Sequence, residues 1–300
     1  MNSLNGSFKR VLFLCMVAVS CAHAMDEDDQ TPPQSFMRNV AVGSAAGMTE
    51  ALVNQPIAFV KNLLQQRGKE IKQQGVFKVL KEIAQKEPAQ FYRGLGVNTA
   101  CMVPTTAAQI SISEQLKEVM PGEDIPTSLG RNAVAGAFSA LTCNTSELIA
   151  VNQQNWKTSA LNAAQRLHQE NGFTVGFRGL MPKAARDAHF CAAFLTAYPM
   201  VQERLEQETG NPFVSTVLAT AAVGPATAVV SHPYDTLSTR MQGDASQKTI
   251  RGFVDAAKTI YKEGGKEAFF EGLTPRVARL CIAIPLMTAV KNALSSDDKN

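Results

Sequence analysis

Two short motifs recur three times in the same order along 300 residues, and this repetition constrains the fold more than any other feature of the chain. The first reads Gln55-Pro-Ile-Ala-Phe-Val-Lys-Asn-Leu-Leu-Gln65, then Asn144-Thr-Ser-Glu-Leu-Ile-Ala-Val-Asn-Gln-Gln154, then Ser231-His-Pro-Tyr-Asp-Thr-Leu-Ser-Thr-Arg-Met-Gln242. Anchored on Pro56, Thr145 and Pro233, the copies lie 89 and 88 residues apart. The second motif sets an aromatic and a charged residue before glycine, and its glycines fall at Gly94, Gly179 and Gly272, 85 and 93 residues apart. A period of this size marks one supersecondary unit per repeat, each burying its apolar surface against its neighbours. The repeats run over 36–120, 121–210 and 211–296.

Each repeat holds two stretches almost free of charge. Residues 94–113 carry no Asp, Glu, Lys or Arg for 20 positions, and 214–231 carry none for 18. At about 1.5 Å per residue, either helix would cross most of a hydrocarbon core about 30 Å thick. Segments 39–60, with Glu50 alone, 132–156, with Glu147 alone, 188–202 and 280–290 complete six candidate spans. The mean hydropathy of −0.07 is low for a polytopic membrane protein. Polar residues within the spans account for it if these helices line a water-filled cavity, because lipid-facing surfaces tolerate few polar groups. A buried bundle in a soluble protein is the competing reading. The polar stretches between paired spans, such as 68–86 and 243–267, read as amphipathic interfacial helix plus loop. Gly43-x-x-x-Gly47 and Ala133-x-Ala-Gly-Ala137 offer small-residue surfaces for close helix approach.

Residues 1–24 form a separate unit. Lys9-Arg10, an apolar run from Val11 to Cys21 and Ala22-His-Ala24 match the three regions of a secretory signal peptide. The acidic and proline-containing stretch 25–35 follows as an exposed tail. Six cysteines make no zinc or redox motif, the four histidines are isolated, and no phosphate loop, dinucleotide fingerprint or nucleophile elbow occurs. No metal, cofactor or nucleic-acid partner is expected, and nothing in the sequence supports an enzyme.

The third copy of the first motif, with Tyr261-Lys-Glu-Gly-Gly-Lys-Glu-Ala-Phe-Phe-Glu-Gly272 and Pro275-Arg-Val-Ala-Arg279 after it, resembles the mitochondrial carrier family, and the upstream copies are weaker versions. The resemblance implies an all-α membrane protein of six transmembrane helices in three pseudo-symmetric repeats around a central cavity. It also implies a monomer in a lipid bilayer, with cardiolipin a candidate lipid, in the mitochondrial inner membrane. Carriers usually lack a secretory signal. The signal-like start therefore raises a bacterial, host-directed member as an expectation, with the bacterial envelope as the alternative location.

By resemblance, Pro56 and Pro233 kink the odd-numbered helices, and charged residues near the kinks pair between repeats as a gate. The acid and base places are Ala58 and Lys61, Glu147 and Ala150, Asp235 and Ser238. Each acid faces the base of the next repeat, so Asp235 pairs with Lys61, Ala58 faces Ala150, and Glu147 faces uncharged Ser238. An unpaired carboxylate there would favour protonation, so Glu147 is a candidate for proton exchange during transport. Gln65, Gln154 and Gln242 would brace the gate by hydrogen bonding, and Arg240 alone keeps the motif's second basic place. The opposite gate has decayed: Ser113-Glu-Gln-Leu-Lys117 keeps its charges, Tyr198-Pro-Met-Val-Gln202 has none, and Val290-Lys291 reverses one.

Counting seven residues on from each glycine places Cys101, Arg186 and Arg279 at the family's substrate level, with Asp187 beside Arg186. Arginine's planar fork suits carboxylate or phosphate, and an adjacent acid suits an ammonium. The expected substrate is a small anionic or zwitterionic metabolite of the amino acid or carboxylate type, moved by alternating access, with antiport one mode. An ATP/ADP carrier and a transport-inactive carrier fold with a binding or structural role stay open.

Overall fold

The computed structural model describes residues 33–296, with side-chain surroundings given from Thr49 onward apart from parts of the third and last helices; the signal-like segment and most of the acidic tail lie outside the described residues. Every described element is helical. Helix α1 spans Pro33–Gln74, with Pro56 inside it and a break at Arg67, where φ is −132°. Proline fits a helix's first turn, where its missing N–H has no partner to lose, so α1 begins within the stretch expected to be tail.

The remaining helices repeat this plan. Helix α2 is Val76–Lys86, and α3 is Leu95–Val119. The second repeat has α4 Ile125–Asn155 and α5 Ala160–Asn171. Its return helix is α6 Leu180–Ala192, continued through a π turn at Ala193–Ala197 into α7 Tyr198–Thr209. The third repeat has α8 Pro212–Gly243, with Pro225 and Pro233 inside it, α9 Phe253–Gly264 and α10 Leu273–Ser296. The long helices start at caps the sequence supplies: the Asp124 carboxylate accepts from Thr127 N–H at 3.1 Å, and Asn211 Oδ1 accepts from Phe213 and Val214 N–H.

Each second motif is a short 3₁₀ turn ending on a left-handed glycine: φ is 92° at Gly94, 75° at Gly179 and 84° at Gly272. That backbone state turns the chain from the amphipathic helix into the next span and strains any residue with a Cβ. Space is a second reason for glycine. A Cβ on Gly94 would stand 3.2 Å from Ala150 Cβ, on Gly179 3.0 Å from the Ser238 carbonyl, and on Gly272 3.0 Å from the Lys61 carbonyl. Each repeat's glycine therefore docks on the gate position of the next repeat's first helix, and the third docks on the first. This cyclic docking closes the three repeats into a ring, which α10 completes by packing on both α8 and α1.

The faces that α4 and α8 turn outward are apolar, and many of the side chains buried between the long helices are polar. On α4, Val134, Phe138 and Leu141 face outward at helical spacing, as do Val217, Leu218, Val229 and Val230 on α8. Asn54, Asn132, Asn144, Thr216, Thr220 and Asp235 are buried. A soluble bundle would show the reverse, so the competing reading falls; hydrocarbon is the solvent that suits an apolar belt of this extent. Helices α4 and α8 are also long and apolar enough to cross a membrane by length and composition. Of the small-residue surfaces, Gly136 makes the close approach: a Cβ there would stand 2.3 Å from the Asp187 carbonyl on α6. Gly43 and Gly47 lie outside the residues whose packing is described.

Candidate functional site

The ring encloses a cavity of about 380 Å³, bounded by the odd-numbered spans α1, α4 and α8 and the return helices α3, α6 and α10. Its charged lining comprises Lys61, Lys183, Arg186, Arg276 and Arg279 against Glu50, Glu147, Asp187 and Asp235, five cations to four carboxylates. Burial makes pairing obligatory, because an isolated charge in a low dielectric costs several kcal/mol or more. All of the pairs except Glu50 with Arg279 form one connected network at the cavity's base.

Asp235 is the hub. Lys61 Nζ lies 2.8 Å from its Oδ2, Arg276 Nη1 3.3 Å from the same oxygen, and Arg186 Nη1 2.9 Å from Oδ1. Gln65 Nε2 donates to Asp235 Oδ2 at 2.8 Å, and Arg276 Nη2 donates to Ser231 Oγ at 2.7 Å. Pro233, whose ring nitrogen has no N–H to donate within α8, stands two residues before Asp235. Pro56 stands at the matching place in α1, one turn and a half before Lys61.

Glu147 is paired, contrary to the expectation of an orphan carboxylate. Lys183 Nζ lies 2.8 Å and Arg186 Nη2 2.9 Å from its Oε1. The cations come from α6 of its own repeat, which enters at Gly179 and sets Lys183 and Arg186 three residues apart on the side that faces α4. Ser238, the expected partner, donates to the Gly179 carbonyl at 3.1 Å instead. The premise for proton exchange at Glu147 is therefore gone.

Arg186 and Asp187 close on each other at 2.7 Å, and Lys183 Nζ is 3.3 Å from the second Asp187 oxygen. Arg186 thus engages Glu147, Asp187 and Asp235 together. Cys101 lines the α3 wall with Asn98, Thr105 and Gln109, a neutral polar face. Arg279 is the loosest cation: its side chain is 42% exposed and its Nε is 3.8 Å from Glu50 Oε1, beyond hydrogen-bond reach.

The seam between repeats one and two carries amides where the others carry ions. Ala58 and Ala150 are buried, and Gln55 and Gln154 both donate to the Arg93 carbonyl, at 2.8 and 2.9 Å. Asn62 donates to Gln154 Oε1 at 2.9 Å. Of the three glutamines, Gln65 alone braces an ion pair, because Gln242 donates to Asn144 Oδ1 at 3.2 Å. Arg240 is outside the ring and pairs with Glu263 on α9. It anchors an interfacial helix rather than the gate.

At the other end of the spans, Glu114 and Lys117 pair with each other along α3 at 2.6 Å and, among the described residues, with no neighbouring repeat. Gln202 donates to Thr216 Oγ1 at 3.0 Å, a neutral bridge from α7 to α8. Lys291 lies where side chains are not described. Sequence reasoning missed Lys183 and Arg276, although both stand four residues after a glycine anchor, at the level of Asn98 in repeat one. It also passed over Glu50 and Asn54, whose signal was a lone acid in an otherwise uncharged span.

A family model described as mitochondrial carrier protein matches residues 32–124, 125–209 and 210–296. The mitochondrial citrate transporter C of Aspergillus niger is 28% identical over 283 residues, covering 83% of this chain and 86% of the relative. The succinate/fumarate mitochondrial transporter of Saccharomyces cerevisiae is 27% identical, covering 81% of this chain and 85% of the relative. The electrogenic aspartate/glutamate antiporter of Homo sapiens is 27% identical over 79% of this chain, which corresponds to 38% of that longer protein.

Proposed function

The chain belongs to the mitochondrial carrier family, and from that premise we propose that it is a transmembrane transporter moving a small carboxylate-bearing or zwitterionic metabolite by alternating access. The observation that carries this reading is the cavity lining: five cations and four carboxylates, with Arg279 half-exposed and engaged only at 3.8 Å. A bound carboxylate meets an arginine fork able to donate two parallel hydrogen bonds. Pairs between repeats, Lys61 with Asp235 and Arg186 with Asp235, hold the base closed. Such pairs add little net stability but give two discrete arrangements close in energy, as a gate requires. Relatives named for citrate, succinate/fumarate and aspartate/glutamate fit the same class.

The site assigned to substrate comprises Arg279, with Cys101 on the opposite wall; Lys61, Asp235, Gln65, Arg186, Asp187 and Glu147 form the closed base. The protein works as a monomer in a lipid bilayer, with the mitochondrial inner membrane as its location. A fluorescent tag in a eukaryotic cell checks the location, since retention in any other membrane contradicts it.

Uptake by proteoliposomes of labelled dicarboxylates, amino acids and ATP tests the transport itself. Saturable uptake of a carboxylate or amino acid, lost in Arg279→Ala, is expected; uptake of ATP alone would establish the nucleotide alternative. A second reading, a carrier fold that binds without transporting, draws on Arg186, which three carboxylates hold at once. Ligand-dependent thermal stabilisation without uptake of any compound would favour it.

A further inference from the structure

Glu50 and Asn54 stand one turn apart on α1, both line the cavity, and they are 2% and 1% exposed. Asn54 Nδ2 donates to Glu50 Oε1 at 3.0 Å, which fixes the amide's orientation, since the reverse would set two oxygens against each other. Glu50 Oε2 and Asn54 Oδ1 are then left buried without a hydrogen-bond donor among the described residues. Buried acceptors without partners are rare and costly in folded proteins. These two are adjacent, and one belongs to a carboxylate whose nearest cation, Arg279, is 3.8 Å away.

The other carboxylates of the cavity differ. Glu147, Asp187 and Asp235 each take at least two cations at 3.3 Å or less. In the closed network the atoms without an aligned hydrogen-bond partner are Gln65 Oε1 and two donors held in ion pairs, Lys183 Nζ and Arg276 Nη1, whereas the Glu50, Asn54 and Arg279 group has unsatisfied acceptors on one side and an open fork on the other. Both side chains line the cavity, so the two orphan oxygens stand in its wall.

We propose that Glu50 and Asn54 are an ammonium-binding subsite paired with Arg279 as the carboxylate subsite, so that the substrate is an α-amino acid. A primary ammonium offers three donors and a full positive charge, meeting both orphan oxygens and neutralising Glu50. The α-carboxylate takes the fork of Arg279, and the remainder of the ligand extends along the neutral wall of Asn98, Thr105 and Gln109. A dicarboxylate would meet Glu50 with like charge and would be disfavoured. This assignment rests on the transport reading and narrows its substrate class.

Uptake by proteoliposomes is compared for pairs that share a carbon skeleton and differ in the amino group: glutamate with 2-oxoglutarate, alanine with pyruvate, and, as a nucleotide pair, ATP with inosine triphosphate. The wild type is expected to prefer the amino member of an acid pair at least tenfold. Glu50→Gln should remove that preference by slowing the amino member at least tenfold more than the oxo member, and Asn54→Ala should act in the same direction. Arg279→Ala should slow both members. Thermal unfolding in detergent checks that each variant is folded, and Asn54→Ala carries the test if Glu50→Gln is not. Equal uptake within each acid pair, or equal slowing of both members by Glu50→Gln, overturns the subsite while the carrier reading stands. Discrimination confined to the nucleotide pair also overturns it. Uptake of no compound removes the carrier reading and this inference with it.

Discussion

At the residue scale, Lys183 and Asp235 show how burial turns a charge into an obligation. Lys183 is fully buried between Glu147 and Asp187. Replacing it by methionine keeps the volume and removes the charge, leaving two carboxylates to share Arg186. Breaking a buried pair on one side costs about 3–5 kcal/mol; Arg186 covers part of this, so Lys183→Met should destabilise by about 2 kcal/mol or more, read as a lower unfolding temperature in detergent. An unchanged midpoint would mean that Arg186 alone suffices. Neither Lys183 nor Arg276 was legible from the motif, because their partners are set by which way α6 and α10 face after the glycine turn. The Asp235–Lys61 pair was legible, since the motif itself names both places. For Glu147 the motif pointed to the wrong partner: its own repeat supplied cations that pairing by motif position does not include.

At the element scale, the glycines that anchor the second motif are required for two separable reasons. Gly179 and Gly272 have positive φ, and a Cβ at either would come within 3.0 Å of a backbone carbonyl that a side-chain rotation cannot move. Strain of this kind is about 1–3 kcal/mol per residue. Gly179→Ala and Gly272→Ala should therefore each destabilise by at least about 1 kcal/mol in thermal unfolding. Gly210, in the same left-handed state with φ 62° and ψ 10° but with nothing within 4 Å of its Cβ position, is the control: alanine there should carry the conformational term alone and lie at the low end. Equal effects at Gly210 and Gly179 would show that docking against α8 contributes nothing. The helix ends were readable for the same local reason, as Asp124 and Asn211 are caps by chemistry. The π turn at Ala193–Ala197 has no comparable sequence mark, since it depends on how α6 packs against its neighbours.

Across the whole molecule, the three seams of the ring are unequal although the fold treats them as equivalent. Two meet at the Asp235 hub and its extension through Arg186, while the seam between repeats one and two is held by Gln55, Gln154 and Asn62. The threefold plan was visible from motif spacing, and the neutral Ala58–Ala150 seam from the motif's acid and base places; the amides that hold that seam were not, because Gln55 and Asn62 carry no charge pattern to read. Ala58 and Ala150 occupy the acid and base places of that seam and are both buried. Ala58→Asp with Ala150→Lys would add the missing ion pair. Each single variant buries an uncompensated charge and should destabilise by several kcal/mol, whereas the pair should recover part of that loss. A double-mutant cycle on unfolding temperature would read a favourable coupling of about 0.5–3 kcal/mol for residues in contact. The same double variant should transport more slowly, since opening the base must then break ions at every seam. Additive unfolding effects would mean that the two positions do not face each other, and unchanged uptake with favourable coupling would mean that this seam does not open during the cycle.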